Sequence, residues 1–119
     1  MTYDTNNIFA KLLRGEIPNK TVAEGETWLA FEDIAPAAPH HVLVIPKGAY
    51  VSQDDFHAKA SDAEIVDFWR GVQSVAAKLE LSGPGYRSIS NHASDANQEV
   101  PHFHVHILGG KNLGPLLAS

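Results

Sequence analysis

Cysteine is absent from this 119-residue chain, so disulfides, thiolate zinc sites and cysteine nucleophiles are all excluded. Basic charge is scarce as well: 9 Lys and Arg stand against 14 Asp and Glu, a formal net charge of −5. Such a chain lacks the basic face that displaces counterions from DNA or RNA, and no nucleic-acid partner is expected. A nucleotide is a different matter, because a few local donors can hold one phosphate. No apolar run approaches the ~20 residues that cross a bilayer, and residues 1–7 carry no basic region followed by an apolar stretch. No membrane partner and a cytoplasmic location are therefore expected. Internal repeats, low-complexity tracts and long linkers are also lacking, and the length suits one domain over residues 1–119.

Apolar residues make up 44% of the chain, the usual globular share. Ile8, Phe9, Leu12 and Leu13 form one stripe of a short helix, with Thr5 as the expected N-cap and Gly15 as its terminator. Residues 21–24 and 27–32 read as strands around the turn Gly25-Glu26. The β-branched run 41–45 suits a central strand buried on both faces, stopped by Pro46-Lys47-Gly48. Ser61-Asp62-Ala63-Glu64 reads as a capping box, with Glu64 reaching back to the Ser61 amide. Ile65, Phe68, Trp69, Val72, Val75, Ala76 and Leu79 then recur at helical spacing, predicting one long helix over 62–81. Residues 86–91 read as a strand, 92–98 as a loop and 102–108 as a last strand. Strands clustered between helices predict an α+β fold with a largely antiparallel sheet.

The last strand carries the chemistry. Side chains alternate across a strand, so His102, His104 and His106 share one face, and Phe103, Val105 and Ile107 point into the core. Any polar residue would satisfy a solvent face, so a row of imidazoles asks for a chemical explanation. A metal is one. At about 3.3 Å per residue, the outer two histidines have Cα atoms some ~13 Å apart, while zinc bonds are only about 2 Å long. The whole row cannot converge on one ion, but an adjacent pair could chelate with Glu99 or His92 as a third ligand. The other explanation is nucleophilic and acid–base chemistry. Imidazole titrates near neutral pH, so one ring can attack while the next faces developing charge, as phosphoryl or nucleotidyl transfer requires.

The run from His102 to Leu108 resembles the His-apolar-His-apolar-His-apolar-apolar motif of the histidine triad (HIT) superfamily. Four further blocks resemble its nucleotide-binding protein branch. They are Ile8-Phe9 through Ile17-Pro18, Ala30 through Pro36, Ala38 through Pro46, and Leu108-Gly109-Gly110. They come in that branch's order over nearly the whole chain, and the tail Leu113 to Ala118 resembles bacterial members. The resemblance implies a HIT-like α+β fold: a five-stranded, largely antiparallel sheet with two main helices, continued across a homodimer. It implies hydrolysis of nucleoside phosphoramidates, such as AMP joined to an amine, with no metal and no cofactor. The partner would be a purine nucleotide or an amine-linked adenylate.

By that resemblance His104 attacks the α-phosphorus, His106 meets the phosphate oxygens, and His102 and His41 orient the row. Asp33 would hold the ribose hydroxyls; its plainer reading is a loop cap. Phe9, Phe31, Ile34 and Leu43 would wall the base, and on residue type alone each is simply core. Asn91 would help hold phosphate, where a strand-ending turn residue is the alternative. Val105 joins the binding set by similarity, although alternation places it in the core. His40 and His92 have no matching role and read as exposed.

The loop before the motif departs from the pattern. Where many members carry Gly-Gly-Gln-Ser, this chain has Ala96-Asn97-Gln98-Glu99. Asn97 and Gln98 stay in the expected binding set, but the lost glycines make a strained phosphate cradle less expected. Glu99 replaces a hydroxyl donor, and a carboxylate there repels phosphate unless it greets a cationic leaving amine. Pro101 is expected to mark the strand start. Two other functions stay open: a dinucleoside polyphosphate hydrolase, against which the flanking blocks argue, and a nucleotide-binding scaffold with incidental hydrolysis.

Overall fold

The computed structural model describes residues 2–117; Ala118 of the tail block lies outside them. The elements run α1 (Ile8–Leu13), β1 (Thr21–Glu24), β2 (Trp28–Glu32), β3 (His40–Pro46), α2 (Gln53–Lys59), α3 (Asp62–Lys78), β4 (Tyr86–Ser90) and β5 (Val105–Gly109). The five strands form one sheet in the order β1-β2-β3-β5-β4, and every neighbouring pair is antiparallel. This is the expected α+β architecture.

The central strands carry apolar side chains on both faces because both faces are covered. Trp28 and Ala30 of β2, with Val42 and Val44 of β3, join Phe56, Phe68, Val72 and Val75 from the helices α2 and α3. Leu29, Phe31, Leu43 and Ile45 face the other way, onto Phe9 and Leu12 of α1. The unbroken run of β3 is thus a sandwiched strand, as its composition requires. Thr27 ties α3 to the β1–β2 turn, donating its hydroxyl to Asp67 at 2.6 Å.

Several local expectations are corrected. Asn7, not Thr5, caps α1, accepting from the Ala10 amide. Gly15 does end that helix, in the left-handed region at φ 79°. Ser61 caps α3 by accepting from the Glu64 amide, but Glu64 does not reach back; it accepts from the Tyr50 hydroxyl at 2.9 Å. That carboxylate, with burial as the larger cause, pushes the Tyr50 phenol up to about 12. The long helix stops at Lys78, before Leu81. Helix α2 was not expected, since Phe56 is its only buried residue and one apolar position makes no stripe. Its signal was the cap, Ser52 accepting from the Asp55 amide. Finally, β5 begins at Val105, so Pro101, His102 and His104 precede the ladder instead of opening it.

Candidate active site

Although His102 to His104 lie outside β5, the alternation persists. Phe103, Val105 and Ile107 enter the core on the α3 side, and the imidazoles face α1. Other bonds replace the missing ladder. The Phe103 amide donates to the Tyr50 carbonyl at 2.8 Å. His102 is fully buried, with Nε2 2.8 Å from the Pro46 carbonyl and Nδ1 2.6 Å from the Tyr3 hydroxyl. His104 turns Nδ1 onto the His102 carbonyl at 2.8 Å, and Phe9 packs edge-on against its ring at 5.1 Å.

His106 lies within β5, opposite Leu43 of β3 and Ile89 of β4. Its Nδ1 is 2.9 Å from Nε2 of His41, a diagonal neighbour on β3. The Ala37 amide donates to His41 Nδ1 at 3.0 Å, and Asp33 Oδ2 lies 3.4 Å from His41 Nε2.

These partners fix the tautomers. A carbonyl only accepts, so His102 is protonated on Nε2 and His104 on Nδ1. His104 is left with a lone pair on Nε2. An amide only donates, so neutral His41 carries its proton on Nε2 and gives it to His106 Nδ1. His106 therefore presents an Nε2–H donor. The row also stays uncharged at neutral pH. Burial, followed by the charge on His104 and on His41, pushes His106 down to about 4. His102 falls to about 4 chiefly through burial. His104 is lowered by burial against the opposing pull of the His102 carbonyl, Asp33 and Glu99.

His104 and His106 line a cavity of about 240 Å³ together with Phe9, Asp33, Leu43, Asn91, Asn97 and Glu99. Eight of the residues singled out in the sequence thus meet at one place. Others do not. Val105 is wholly buried on the opposite face, so its side chain cannot touch a ligand there. Phe31 stands behind Phe9 as core, edge-on at 5.6 Å. Ile34 is 95% exposed and lines a neighbouring cavity of about 550 Å³ that shares Asp33. Gln98 braces the loop instead of facing the cavity: its amide nitrogen donates to the Val51 and Val100 carbonyls, and its oxygen accepts from the Ala93 amide. Asp33 fulfils its plainer reading in part, since Oδ1 accepts from the Ala35 amide.

The strained loop survives the loss of glycine. Asn97 adopts the left-handed conformation (φ 56°, ψ 48°), which asparagine tolerates better than most residues. Ala93 sits at φ 63°, ψ −165°, a region nearly confined to glycine, and Gln98 holds its amide there. Sequence reading missed Ala37, Pro46 and Ala93, because they act through backbone groups that carry no residue signature; Tyr3 was missed as well.

By distance alone Asp33, His41 and His106 offer ligand atoms within 4.8 Å of one another. The chemistry of the set does not fit. A metal on His41 Nε2 would have to take the ring as an imidazolate or break its bond from the Ala37 amide.

A five-stranded antiparallel sheet with four histidines meeting on one face defines an α+β protein built around an imidazole cluster. Residues 14–113 match the HIT domain, so the chain belongs to the HIT family. An uncharacterized HIT-like protein of Azospirillum brasilense is 58% identical over 118 residues, covering 99% of this chain and 97% of that one. Purine nucleoside phosphoramidase of Escherichia coli strain K12 is 40% identical over 115 residues, covering 93% and 92%. A HIT family hydrolase from Legionella pneumophila Philadelphia 1 superposes with a TM-score of 0.81 at 37% identity, covering 92% and 96%. These relatives support hydrolysis as the reaction class.

Proposed function

We propose that this protein is a purine nucleoside phosphoramidase that cleaves the P–N bond of AMP-amines through a nucleotidyl-histidine. The observation that carries the reading is the His104 tautomer: with Nδ1–H held by the His102 carbonyl, Nε2 bears a free lone pair in a ring that lines the cavity. Nε2 attacks the α-phosphorus, and the P–N electron pair leaves with the amine nitrogen, which takes a proton from water. Water then attacks the phosphorus, frees His104 and releases the nucleoside monophosphate. His106 meets the phosphate oxygens with its Nε2–H, a preorganised dipole aimed at the negative charge that develops there. Asp33 receives the ribose, Phe9 and Leu43 bound the nucleoside end, and Asn91 and Asn97 supply amide donors. The relative named as a phosphoramidase supports the same reaction.

The test is release of AMP from an adenosine phosphoramidate by wild type and His104→Ala, with EDTA present. Turnover that persists in EDTA and vanishes in the variant is expected. Binding of AMP without turnover by the wild type would make it a binding module, and loss of activity in EDTA restored by zinc would revive a metal. In the same assay Glu99→Ser should slow only substrates with a cationic leaving amine; equal slowing of neutral ones would remove Glu99 from leaving-group recognition.

A further inference from the structure

The nucleophile proposed above lies in a stretch, residues 102–104, that the sheet does not hold. Its position depends on separate anchors, and one of them comes from the far end of the chain. Tyr3 precedes α1, yet its hydroxyl lies 2.6 Å from His102 Nδ1 and its ring stands edge-on to the imidazole at 5.6 Å. Because the Pro46 carbonyl takes the Nε2 proton, Nδ1 is an acceptor and the phenol must be the donor. His102 is wholly buried, so without that donor its nitrogen would face a dry core unpaired. The ring would then be free to tilt, and its own peptide carbonyl is the group that holds His104 Nδ1–H at 2.8 Å.

We propose that Tyr3 is a positioning residue for His104, acting through the His102 ring to fix the carbonyl that selects the nucleophile's tautomer. The path is short and continuous. Tyr3 Oη–H binds the His102 ring, the ring orients its own peptide, and that peptide's carbonyl accepts the His104 proton. The alternative tautomer would place the proton on Nε2, where attack on phosphorus is blocked. Tyr3 touches neither substrate nor phosphorus; it acts on the fraction of His104 ready to react. This rests on reading His104 as the nucleophile, but the placement of the proton can be read without any substrate.

Tyr3→Phe removes the donor and keeps the ring. Expected are a kcat reduced about tenfold with KM within about twofold. In the free protein, imidazole ¹⁵N shifts of His104 should move from a pure Nδ1–H form toward a mixture. Ser61→Ala, which removes the α3 cap far from the row, serves as the stability control and should leave both readouts unchanged. Unmoved His104 shifts in Tyr3→Phe overturn the proposal, whether or not kcat falls. If wild type shows no turnover, the phosphoramidase reading fails and the shift measurement still decides for or against Tyr3. Should Tyr3→Phe not fold, 3-fluorotyrosine at position 3 alone keeps the hydroxyl and strengthens it as a donor. A displaced His102 Nδ1 resonance is then expected, and an unmoved one refutes the contact.

Discussion

Four imidazoles meet in this protein, and each takes its tautomer from a neighbour unable to exchange roles. The Pro46 and His102 carbonyls only accept, the Ala37 amide only donates, and His41 passes that constraint on to His106. Burial adds a second constraint on the row itself: it lowers His104 and pushes His102 and His106 down to about 4. The sign of the stability effect follows. Between about pH 6.5 and 4 the unfolded chain binds protons that these rings refuse, so stability falls as pH drops through that window and rises with pH across it. For the deeply buried His102, a move from 6.5 to about 4 costs on the order of 3 kcal/mol of stability once pH has fallen through the window. Urea midpoints at several values between pH 7.5 and 4.5 should therefore fall less steeply for His106→Gln than for wild type, and parallel curves would contradict the depressed value.

Among the elements, α3 shows how a weakness in sequence can be a seat in structure. Gly71 interrupts an otherwise good helix, where glycine costs about 1 kcal/mol relative to alanine. A Cβ there would run into the indole of Trp28, which also closes on Gly25 of the β1–β2 turn. Trp28 is nearly buried on β2, so the two glycines make room for the largest side chain of that core. Gly71→Ala should thus destabilise despite its helix propensity, by about 1–2 kcal/mol, since overpacking at a filled site outweighs the backbone gain. Thermal or urea unfolding reads this directly, and Trp28→Phe in the same chain should recover much of the loss. A stabilised Gly71→Ala would show that the indole moves aside.

At the scale of the molecule, the sheet separates a thick core under α2 and α3 from a thinner layer under α1, and the imidazoles open into the thinner one. The sheet ends at β4, whose outer edge has no strand beside it among the described residues. Arg87 of that strand holds the carbonyls of Gly114 and Pro115, laying the tail near the same edge with Leu116 and Leu117 exposed. An open edge with apolar residues beside it is what a protein must cover, and the homodimer proposed from the resemblance would continue the sheet there. Light scattering should give twice the 12.9 kDa of one chain; a 12.9 kDa species at micromolar concentration would refute the dimer.

Spacing and residue type were enough for β2, β3, the body of α3 and the partition of residues 102–107 between core and site, because periodicity records which faces are buried. They also singled out His104 and His106, while Asp33 and Asn91 came from the resemblance; the fold brings all four to one cavity. The folded chain alone revealed which nitrogen of each ring carries the proton. The partners that decide it lie far off in sequence, 56 residues away for Pro46 and 99 for Tyr3, or are backbone groups such as the Ala37 amide that any residue would offer. Gln98 belongs to the same lesson: its identity suggested a ligand contact, and packing turned it into the brace of a loop. Local pattern encodes burial, whereas a proton's position depends on neighbours that only folding brings together.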